Sequence, residues 1–416
     1  MNLKNKKALV WDRGLYTYLA QKLGESFGEV WYYLPQSDPY PKSPTAQIGV
    51  GLAELTRVYD FWKYVDLADV IVFFDCYDGK LQQYLREKGY RVFGSGLSEK
   101  IELDKVLFLQ TLEEVGLPVP HTYRAEGVDD LLQYLEKSKG EKWLKASYYR
   151  GDFETKKYRG MAHLEPWLDD LRKRIGQRIK DIEILVQDPI ESVCEIGYDG
   201  FCIDGQFTEN SMSGYEIKDK GLIARVHKET PPILAYVNGK MSPVFKKYGY
   251  RGHYSSEIRI TSKGVPYFID PTCRAPSPPS ELLCELYENY AEVVWLISNG
   301  EVPVLKPKAV FGAELILSSP WHEQNELCVE IPKELISNVK LKNHTKRGNV
   351  FYCIPNDNHG IFGAVITHGK SVKDVTSKIL DIAKELKVDE LDYETSTFTE
   401  AEKECCSGEK FGISYK

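Results

Sequence analysis

The sequence predicts a mixed α/β protein of two or three domains, and three observations lead to that prediction. The chain has 416 residues, too many for one ordinary core. Its first 95 residues alternate short apolar strands with helical segments, which is typical of a parallel sheet covered by helices. Farther along, charged and apolar residues alternate around turn signals, which indicates antiparallel hairpins.

Composition and charge exclude several functional classes. Hydrophobic residues make up 42% of the chain and charged residues 28%, as in globular proteins. The net charge of −7 argues against an extended nucleic-acid surface. The first residues lack the apolar core of a signal peptide, and no apolar run approaches membrane-spanning length. We therefore expect a cytoplasmic protein with no membrane partner.

The nine cysteines are scattered, with no CxxC pair and no histidine at zinc-ligand spacing. This pattern predicts thiols in a reducing compartment rather than a disulfide framework or a zinc site. Cys273 lies between Asp270 and Arg274, but strand alternation turns it away from the Asp270 face. Packing is its expected role.

The amino-terminal elements place polar residues at one edge of the predicted sheet. Strands are predicted at 8–11, 30–34, 70–74 and 91–93, with helices around 15–23 and 81–85. The loops Asp12-Arg13-Gly14 and 75–78 follow two of these strands. Ligands of parallel sheets bind beyond such carboxyl ends. No GxGxxG motif is present, so a dinucleotide is not indicated.

Two lysines lie beside apolar sequence. Lys105 adjoins the apolar stripe of a helix that Ser98 can cap, and by itself it is expected to be solvated. Lys145 lies in the strand segment WLKA, where a lysine must reach solvent or find an anion. An edge strand and an anion partner explain Lys145 equally well.

The segment from Glu257 to Arg274 is predicted to be a β-hairpin. If Lys263-Gly264 is a two-residue turn, Glu257 lies opposite Asp270, with the two Cβ atoms about 5 Å apart. Two facing carboxylates repel each other unless a cation lies between them. Thr272 and Arg274 project from the same face as Asp270.

That set of groups suits Mg²⁺ and phosphate, because hard cations take oxygen ligands and arginine pairs with phosphate through a planar fork. The alternative is an exposed hairpin with a longer loop, a different register and acids in water. For the hairpin alone, the alternative is favoured.

Other elements are predicted from periodicity and turn residues. A strand from Ile184 runs into a connector containing Pro189, and a hairpin is predicted with its turn at Asp199-Gly200. A helix stripe precedes Gly300, and the rest of the chain shows strands near 313–317, 350–354 and 361–367 and a helix around 372–386. The tail from Glu394 is polar and expected to be peripheral.

Together these residues resemble the ATP-grasp superfamily, in an order most similar to the phosphoribosylamine-glycine ligases. The resemblance rests on the following residues: VFGSG at 92–96, Lys105, Gly116-Leu117-Pro118, Lys145, the hinge-like Gln187-Asp188-Pro189-Ile190, and Glu257 followed by Asp270-Pro271-Thr272-Cys273-Arg274. It implies a Rossmann-like domain (1–95), a central ATP-grasp domain (96–300, with a flexible subdomain at about 118–190) and a small carboxy-terminal α/β domain (301–416).

The resemblance also implies a role for each residue, with ATP and Mg²⁺ as cofactors. Lys105 and Lys145 would hold phosphate oxygens. Gln187, Asp188 and Ile190 would form the adenine hinge, and Glu195 would contact ribose or metal. Glu257, Asp270 and Thr272 would bind Mg²⁺, and Arg274 would stabilise the phosphoryl group in flight.

The implied activity is an ATP-dependent carboxylate-amine ligase that works through an acyl phosphate. The chain departs from the family pattern: Asp270 and Thr272 replace Glu and Asn, and the loop after Lys145 has one glycine, Gly151. A catalytically altered ATP-binding protein and an ATP-grasp kinase therefore stay open as alternatives. The substrates would be small molecules. The candidate contacts, for each of which an ordinary surface charge is the favoured alternative, are Asp12, Arg13, Arg150, Arg225 and Arg251.

Overall fold

A computed structural model describes residues 1–35, 44–147, 155–355 and 359–415. The amino-terminal part is a five-stranded parallel sheet with strand order β3-β2-β1-β4-β5. Its strands are β1 (Lys7–Trp11), β2 (Glu29–Tyr33), β3 (Thr56–Val58), β4 (Val70–Phe73) and β5 (Val92–Phe93). Its helices are α1 (Thr17–Gly24), α2 (Trp62–Val65) and α3 (Gly79–Glu87). The predicted parallel α/β organisation is confirmed.

Two consecutive helices, α4 (Glu99–Leu103) and α5 (Lys105–Glu114), lead into a small antiparallel sheet. Its strands are β6 (Thr122–Glu126), β7 (Lys142–Ala146), β8 (Thr155–Tyr158) and β9 (Glu183–Gln187), in the order β6-β9-β7-β8. Helices α6 (Gly127–Lys137) and α7 (Met161–Ile175) cover it. Leu131, Leu144, Trp167 and Ile184 belong to a core that is separate from the main one. The small sheet is thus a compact unit of its own.

The next segment supplies most of a ten-stranded sheet. Its strands are β10 (Cys194–Ile196), β11 (Asp199–Ile203), β12 (Gln206–Phe207), β13 (Met212–Ile217), β14 (Gly221–Val226), β15 (Arg251–Ile260) and β16 (Pro266–Thr272). The helices of this segment are α8 (Pro232–Tyr248), α9 (Ser280–Leu286) and α10 (Tyr290–Ser298).

The last segment extends that sheet and adds a four-stranded one. Its strands are β17 (Phe311–Ser318), β18 (Leu327–Glu330), β19 (Val339–Leu341), β20 (His344–Arg347), β21 (Val350–Cys353), β22 (Ile361–Gly369) and β23 (Lys387–Val388). Its helices are α11 (Val372–Lys384) and α12 (Thr397–Glu404). The large sheet has the order β10-β15-β11-β13-β14-β17-β22-β19, with β12 on β11 and β16 on β15. Because β14 pairs with β17, this sheet crosses the division predicted at residue 301, which stays a prediction.

The hairpin turn predicted at Asp199-Gly200 is wrong. Strands β10 and β11 both pair with β15 and follow one another along it, so Asp199 lies within a strand. Gly200 is needed for close packing, because a Cβ there would lie 2.7 Å from the Tyr198 hydroxyl oxygen. The turn is at Asp204-Gly205, where both residues have positive φ and β11 pairs with β12.

The expectation of a peripheral tail is also wrong. Helix α12 packs on β13 and β14, and Ile413 and Tyr415 are buried. The Tyr415 hydroxyl donates to the carbonyl oxygen of Ser213, 2.5 Å away. All nine cysteines are free thiols, as predicted. Within the described ranges, no helix is both long and apolar enough to cross a membrane.

Candidate active site

The hairpin of β15 and β16 places Glu257 directly opposite Asp270, as predicted. The predicted two-residue turn is wrong, because pairing ends at Ile260 with Pro266 and leaves a five-residue loop. That loop shifts the register by one residue, and a bulge that leaves Ile269 unpaired shifts it back. The pairing was therefore predicted correctly, although the register near the turn differs.

The bulge decides which way Asp270 points. In a regular strand, Asp270 would share the face of Phe268, which is buried in the core. The unpaired Ile269 instead places Asp270 on the more open face, together with Thr272 and Arg274. The bulged Ile269 also presents its carbonyl oxygen to the Lys145 Nζ, which donates to it at 2.8 Å.

Both predicted lysines converge on this bulge from different elements. Lys105 begins α5, whose amino terminus is capped by the Asp104 carboxylate. Its side chain is buried, and its Nζ lies 2.7 Å from the Asp270 Oδ1. Lys145 comes from β7 of the small sheet. The structure thus brings Lys105, Lys145 and Asp270 together between the small sheet and β16, and this region is called the cleft below.

The pKa values of the two facing carboxylates are shifted in opposite directions. Desolvation would raise the pKa of Asp270, but the charges of Lys105 and Lys145 outweigh it and the pKa is lowered. The pKa of Glu257 is raised well above its usual value, first by desolvation and then by the charge of Asp270. The Glu257 side chain is exposed to solvent, but the charges of Asp270, Glu216 and Glu195 act on it. A second negative charge is therefore unfavourable there without a cation.

Further carboxylates lie around this pair. Glu195 is bound by the Arg259 Nε, 2.8 Å from its Oε2. Glu216 of β13 was missed by the sequence analysis, and its charge adds to that of Asp270 at Glu257. Desolvation and the charge of Asp199 raise the pKa of Glu216 to about 8. Strand alternation at 212–217 could have indicated an outward-facing Glu216, but not that it faces the cleft.

Thr272 pairs with Ser255 in the β15–β16 ladder and is half-buried on the same wall of the cleft as Asp270. Within the described part of the chain, no group of three or more His, Cys, Asp or Glu side chains is arranged to hold a metal ion. Magnesium commonly takes only one or two carboxylates, with water and phosphate oxygens as its other ligands. The Glu257–Asp270 pair matches that smaller donor set.

Arg274 lies where the cleft meets the amino-terminal sheet. Its Nε donates to the Glu102 Oε1 at 2.8 Å, and its Nη1 lies 3.2 Å from both the Tyr16 hydroxyl and the Ala275 carbonyl oxygen. Burial opposes the charge, but Glu102 and Tyr16 more than compensate, and the pKa of Arg274 is raised. Its guanidinium therefore stays charged.

The predicted hinge follows β9. The carboxylate of Asp188 binds the Lys142 Nζ at 2.6 Å, a hydrogen bond that lowers the pKa of Asp188. The Asp188 amide donates to the His121 carbonyl oxygen, and the Gln187 side-chain amide lies 3.3 Å from the Thr122 hydroxyl. Among the described residues, the Ile190 amide has no acceptor. The Ile190 N–H and the Asp188 carbonyl can therefore serve a ligand.

Solved structures share this arrangement of sheets. No protein-family model matches the chain, and no curated protein matches it. Phosphoribosylamine-glycine ligase from Thermotoga maritima aligns with a TM-score of 0.72 and 15% identity, over 94% of this chain and 99% of that one. The biotin carboxylase domain of Hydrogenobacter thermophilus 2-oxoglutarate carboxylase, in complex with MgADP, ADP and bicarbonate, aligns at 0.67 and 14%, over 96% and 98%.

A third structure, N5-carboxyaminoimidazole synthetase from Staphylococcus aureus complexed with ADP, aligns with a TM-score of 0.63 and 12% identity, over 91% of this chain and 98% of that one. The chain has the ATP-grasp fold. Identities this low establish the ATP-grasp fold alone, so the roles of the site residues rest on the geometry above.

The predicted substrate contacts divide into two groups. Asp12 and Arg13 lie at the carboxyl edge of the amino-terminal sheet, where Arg13 binds Asp78 at 2.9 Å. Burial raises the pKa of Asp12 to about 6 although Tyr32 donates to it. Arg225 and Arg251 are held by other contacts.

Arg251 is held by Asp204, with 2.9 Å between the Nη2 and Oδ2 atoms. Arg225 donates to the Ser414 carbonyl oxygen and lies over the Phe311 ring. Both arginines thus make contacts within the protein, and their role as candidate substrate contacts stays a prediction. Arg150 and Gly151 lie outside the described residues.

Proposed function

We propose that the protein is an ATP-dependent carboxylate-amine ligase that forms a C–N bond and releases ADP. The observation that carries this proposal is that Lys105 and Lys145 meet at Asp270 and Ile269, opposite Glu257, and that the charge of Arg274 acts on the same Asp270 carboxylate. The transfer of a phosphoryl group requires several positive groups directed at the same site.

Magnesium fits the carboxylate pair. The raised pKa of Glu257 reflects a conflict between two negative charges that a divalent cation removes. Bound by Glu257 and Asp270, with Thr272 as the third predicted ligand, Mg²⁺ would neutralise charge on the ATP phosphates.

The remaining site residues would bind and orient ATP. Lys105 and Lys145 would exchange part of their contacts with Asp270 and Ile269 for phosphate oxygens. The Asp188 carbonyl and the Ile190 amide would pair with adenine beside Gln187, and Glu195 would lie near the ribose or the metal. Arg274 would contact the phosphoryl group during its transfer.

The reaction would proceed in two displacements. A substrate carboxylate oxygen attacks the γ-phosphorus of ATP, and ADP leaves, which gives an acyl phosphate. An amine then attacks the acyl carbon, phosphate leaves with the bonding electrons, and the amine loses a proton. The carboxylate would come from an amino acid or a similar acid, and the amine from a sugar phosphate, a nucleotide or an amino acid.

ADP release tests the proposal when it is measured over a matrix of acids and amines with ATP and Mg²⁺. We expect one pair to stimulate release, and Arg274→Ala to abolish it while ADP still binds. Arg124→Ala, which removes an exposed arginine paired with Glu183, serves as the matched control. If no pair of substrates stimulates turnover, the ligase proposal fails.

The alternatives make different predictions in the same assay. An ATP-binding protein without catalysis, favoured by Asp270 and Thr272 at positions where the family has Glu and Asn, would bind ATP without releasing ADP. A kinase would release ADP and leave a stable phosphorylated acid. We also propose a cytoplasmic location, because the unpaired thiols fit a reducing compartment.

A further inference from the structure

We infer that Glu102 is a positioning residue that fixes the direction of the Arg274 guanidinium toward the transferring phosphoryl group. The inference rests on the proposed function, in which Arg274 contacts that group. Glu102 does not touch the substrate in this scheme and acts only through Arg274.

Both oxygens of Glu102 hold the segment that follows β16 and carries Arg274. The Oε1 accepts from the Arg274 Nε at 2.8 Å, and the Oε2 accepts from the Cys273 amide at 2.7 Å. One buried carboxylate thus fixes the side chain of Arg274 and the backbone just before it. Such a two-point contact leaves the arginine little rotational freedom.

Tyr16 holds the same guanidinium from the amino-terminal sheet. Its hydroxyl accepts from the Arg274 Nη1 and donates to the Ala275 carbonyl oxygen, 2.7 Å away. Among the described residues, the Arg274 Nη2 has no acceptor, and the side chain is 19% exposed. The Nη2 is therefore the nitrogen left to meet a ligand oxygen.

Glu102 and Lys105 hold opposite ends of the same segment, residues 270–274. These residues are three positions apart, on the consecutive helices α4 and α5. Lys105 binds Asp270 at one end of the 270–274 segment, and Glu102 binds Cys273 and Arg274 at the other end. The same turn of chain thus sets the spacing between the predicted metal ligand and the predicted catalytic arginine, as preorganised transition-state stabilisation requires.

Glu102→Gln tests the inference, because the amide keeps the side-chain shape but has only one oxygen for the two donors. We expect kcat for ADP release to fall about 10–100-fold, the range for lost supporting contacts. ADP affinity should stay within about twofold of wild type, while the affinity for a non-hydrolysable ATP analogue falls relative to ADP. Only a residue that acts on the terminal phosphoryl group changes that ratio.

Glu285→Gln is the matched control. Glu285 is another buried carboxylate, bound by Lys340 and Lys22, and it makes no described contact with Arg274. The control variant should lose stability and keep the wild-type ratio of analogue to ADP affinity. If Glu102→Gln behaves like Glu285→Gln, the inference is overturned.

Tyr16→Phe keeps the inference testable if Glu102→Gln does not fold. Removing one hydroxyl should lower the same affinity ratio, by less than Glu102→Gln. An unchanged ratio in Tyr16→Phe, when Glu102→Gln cannot be measured, also overturns the inference. If the wild-type protein binds neither ADP nor the ATP analogue, the proposed function fails and the inference fails with it. If the wild-type protein binds both and the variants keep its ratio of analogue affinity to ADP affinity, the inference alone is overturned.

Discussion

At the scale of single residues, the shifted pKa of Glu257 predicts how stability and metal binding depend on pH. Its folded-state pKa lies well above its usual value, so the folded protein binds more protons than the unfolded chain between those two values. Without metal, stability should therefore fall as pH rises from the unfolded pKa of about 4.3 through the folded pKa. In the proposed site, Mg²⁺ would compete with the proton for the Glu257 carboxylate.

We therefore expect the affinity for MgADP to rise as the pH increases above the usual range of a glutamate, because Glu257 must lose its proton to bind the metal. Glu257→Gln should weaken MgADP binding about 10-fold or more and remove most of this pH dependence. Calorimetric titration at several pH values measures both effects. Glu183→Gln, an exposed carboxylate on β9, is the control, and a wild-type affinity independent of pH would contradict the metal assignment.

The residues that sequence could predict are those that are close in sequence or pair locally. Strand alternation and hairpin pairing predicted Glu257 opposite Asp270, with Thr272 and Arg274 on the same face, but this holds only because the longer loop and the bulge at Ile269 shift the register in opposite directions. Glu102, Tyr16 and Glu216 could not be predicted, because each reaches the site from a different element. Their roles depend on tertiary packing, which cannot be predicted from the spacing of residues along the sequence.

At the scale of elements, the sequence does not show which of two Asp-Gly pairs forms the hairpin turn. Asp199-Gly200 and Asp204-Gly205 read alike in the sequence, but only the second has positive φ at both residues. At the first, the Asp199 carboxylate accepts from the Ser255 hydroxyl at 2.7 Å, which fixes it within the sheet. Close packing and a turn both favour glycine, so the sequence alone does not distinguish them.

The carboxy-terminal tail is a second element that the sequence predicted wrongly, because its polar composition indicated a peripheral position. Tyr415 is buried against Ser213 and the Phe311 ring, so we expect Tyr415→Ala to lower the free energy of unfolding by about 3–5 kcal/mol. Urea denaturation measures the change. Lys410→Ala, at an exposed position of the same tail, should change stability by less than about 0.5 kcal/mol. Equal effects of the two substitutions would contradict the docking of the tail.

At the scale of the whole molecule, one buried carboxylate joins three parts of the chain. Glu285 of α9 binds Lys22 of α1 and Lys340 of β19, at 2.9 and 2.7 Å. Burial would raise the pKa of Glu285, but the two lysines lower it to about 2. The stability that this carboxylate provides is complete above its unfolded pKa of about 4.3 and is lost as pH falls toward 2.

We expect Glu285→Gln to lower the free energy of unfolding by about 3–5 kcal/mol at pH 7, because it leaves the buried Lys340 without its counter-ion. The difference from wild type should shrink as pH falls from about 4.5 to about 2. Denaturant unfolding across that range measures it. A difference that stays constant with pH would show that Glu285 acts through packing rather than charge.

The ten-stranded sheet has a mechanical consequence. Since β14 and β17 share a hydrogen-bonded ladder, the central and carboxy-terminal parts cannot rotate apart without breaking backbone bonds. The small sheet of β6 to β9 packs on its own core, and its Lys145 Nζ contacts the Ile269 oxygen across the cleft. We therefore expect that, when the proposed site takes up a nucleotide, the small sheet moves and the segment bearing Asp270 and Arg274 stays fixed.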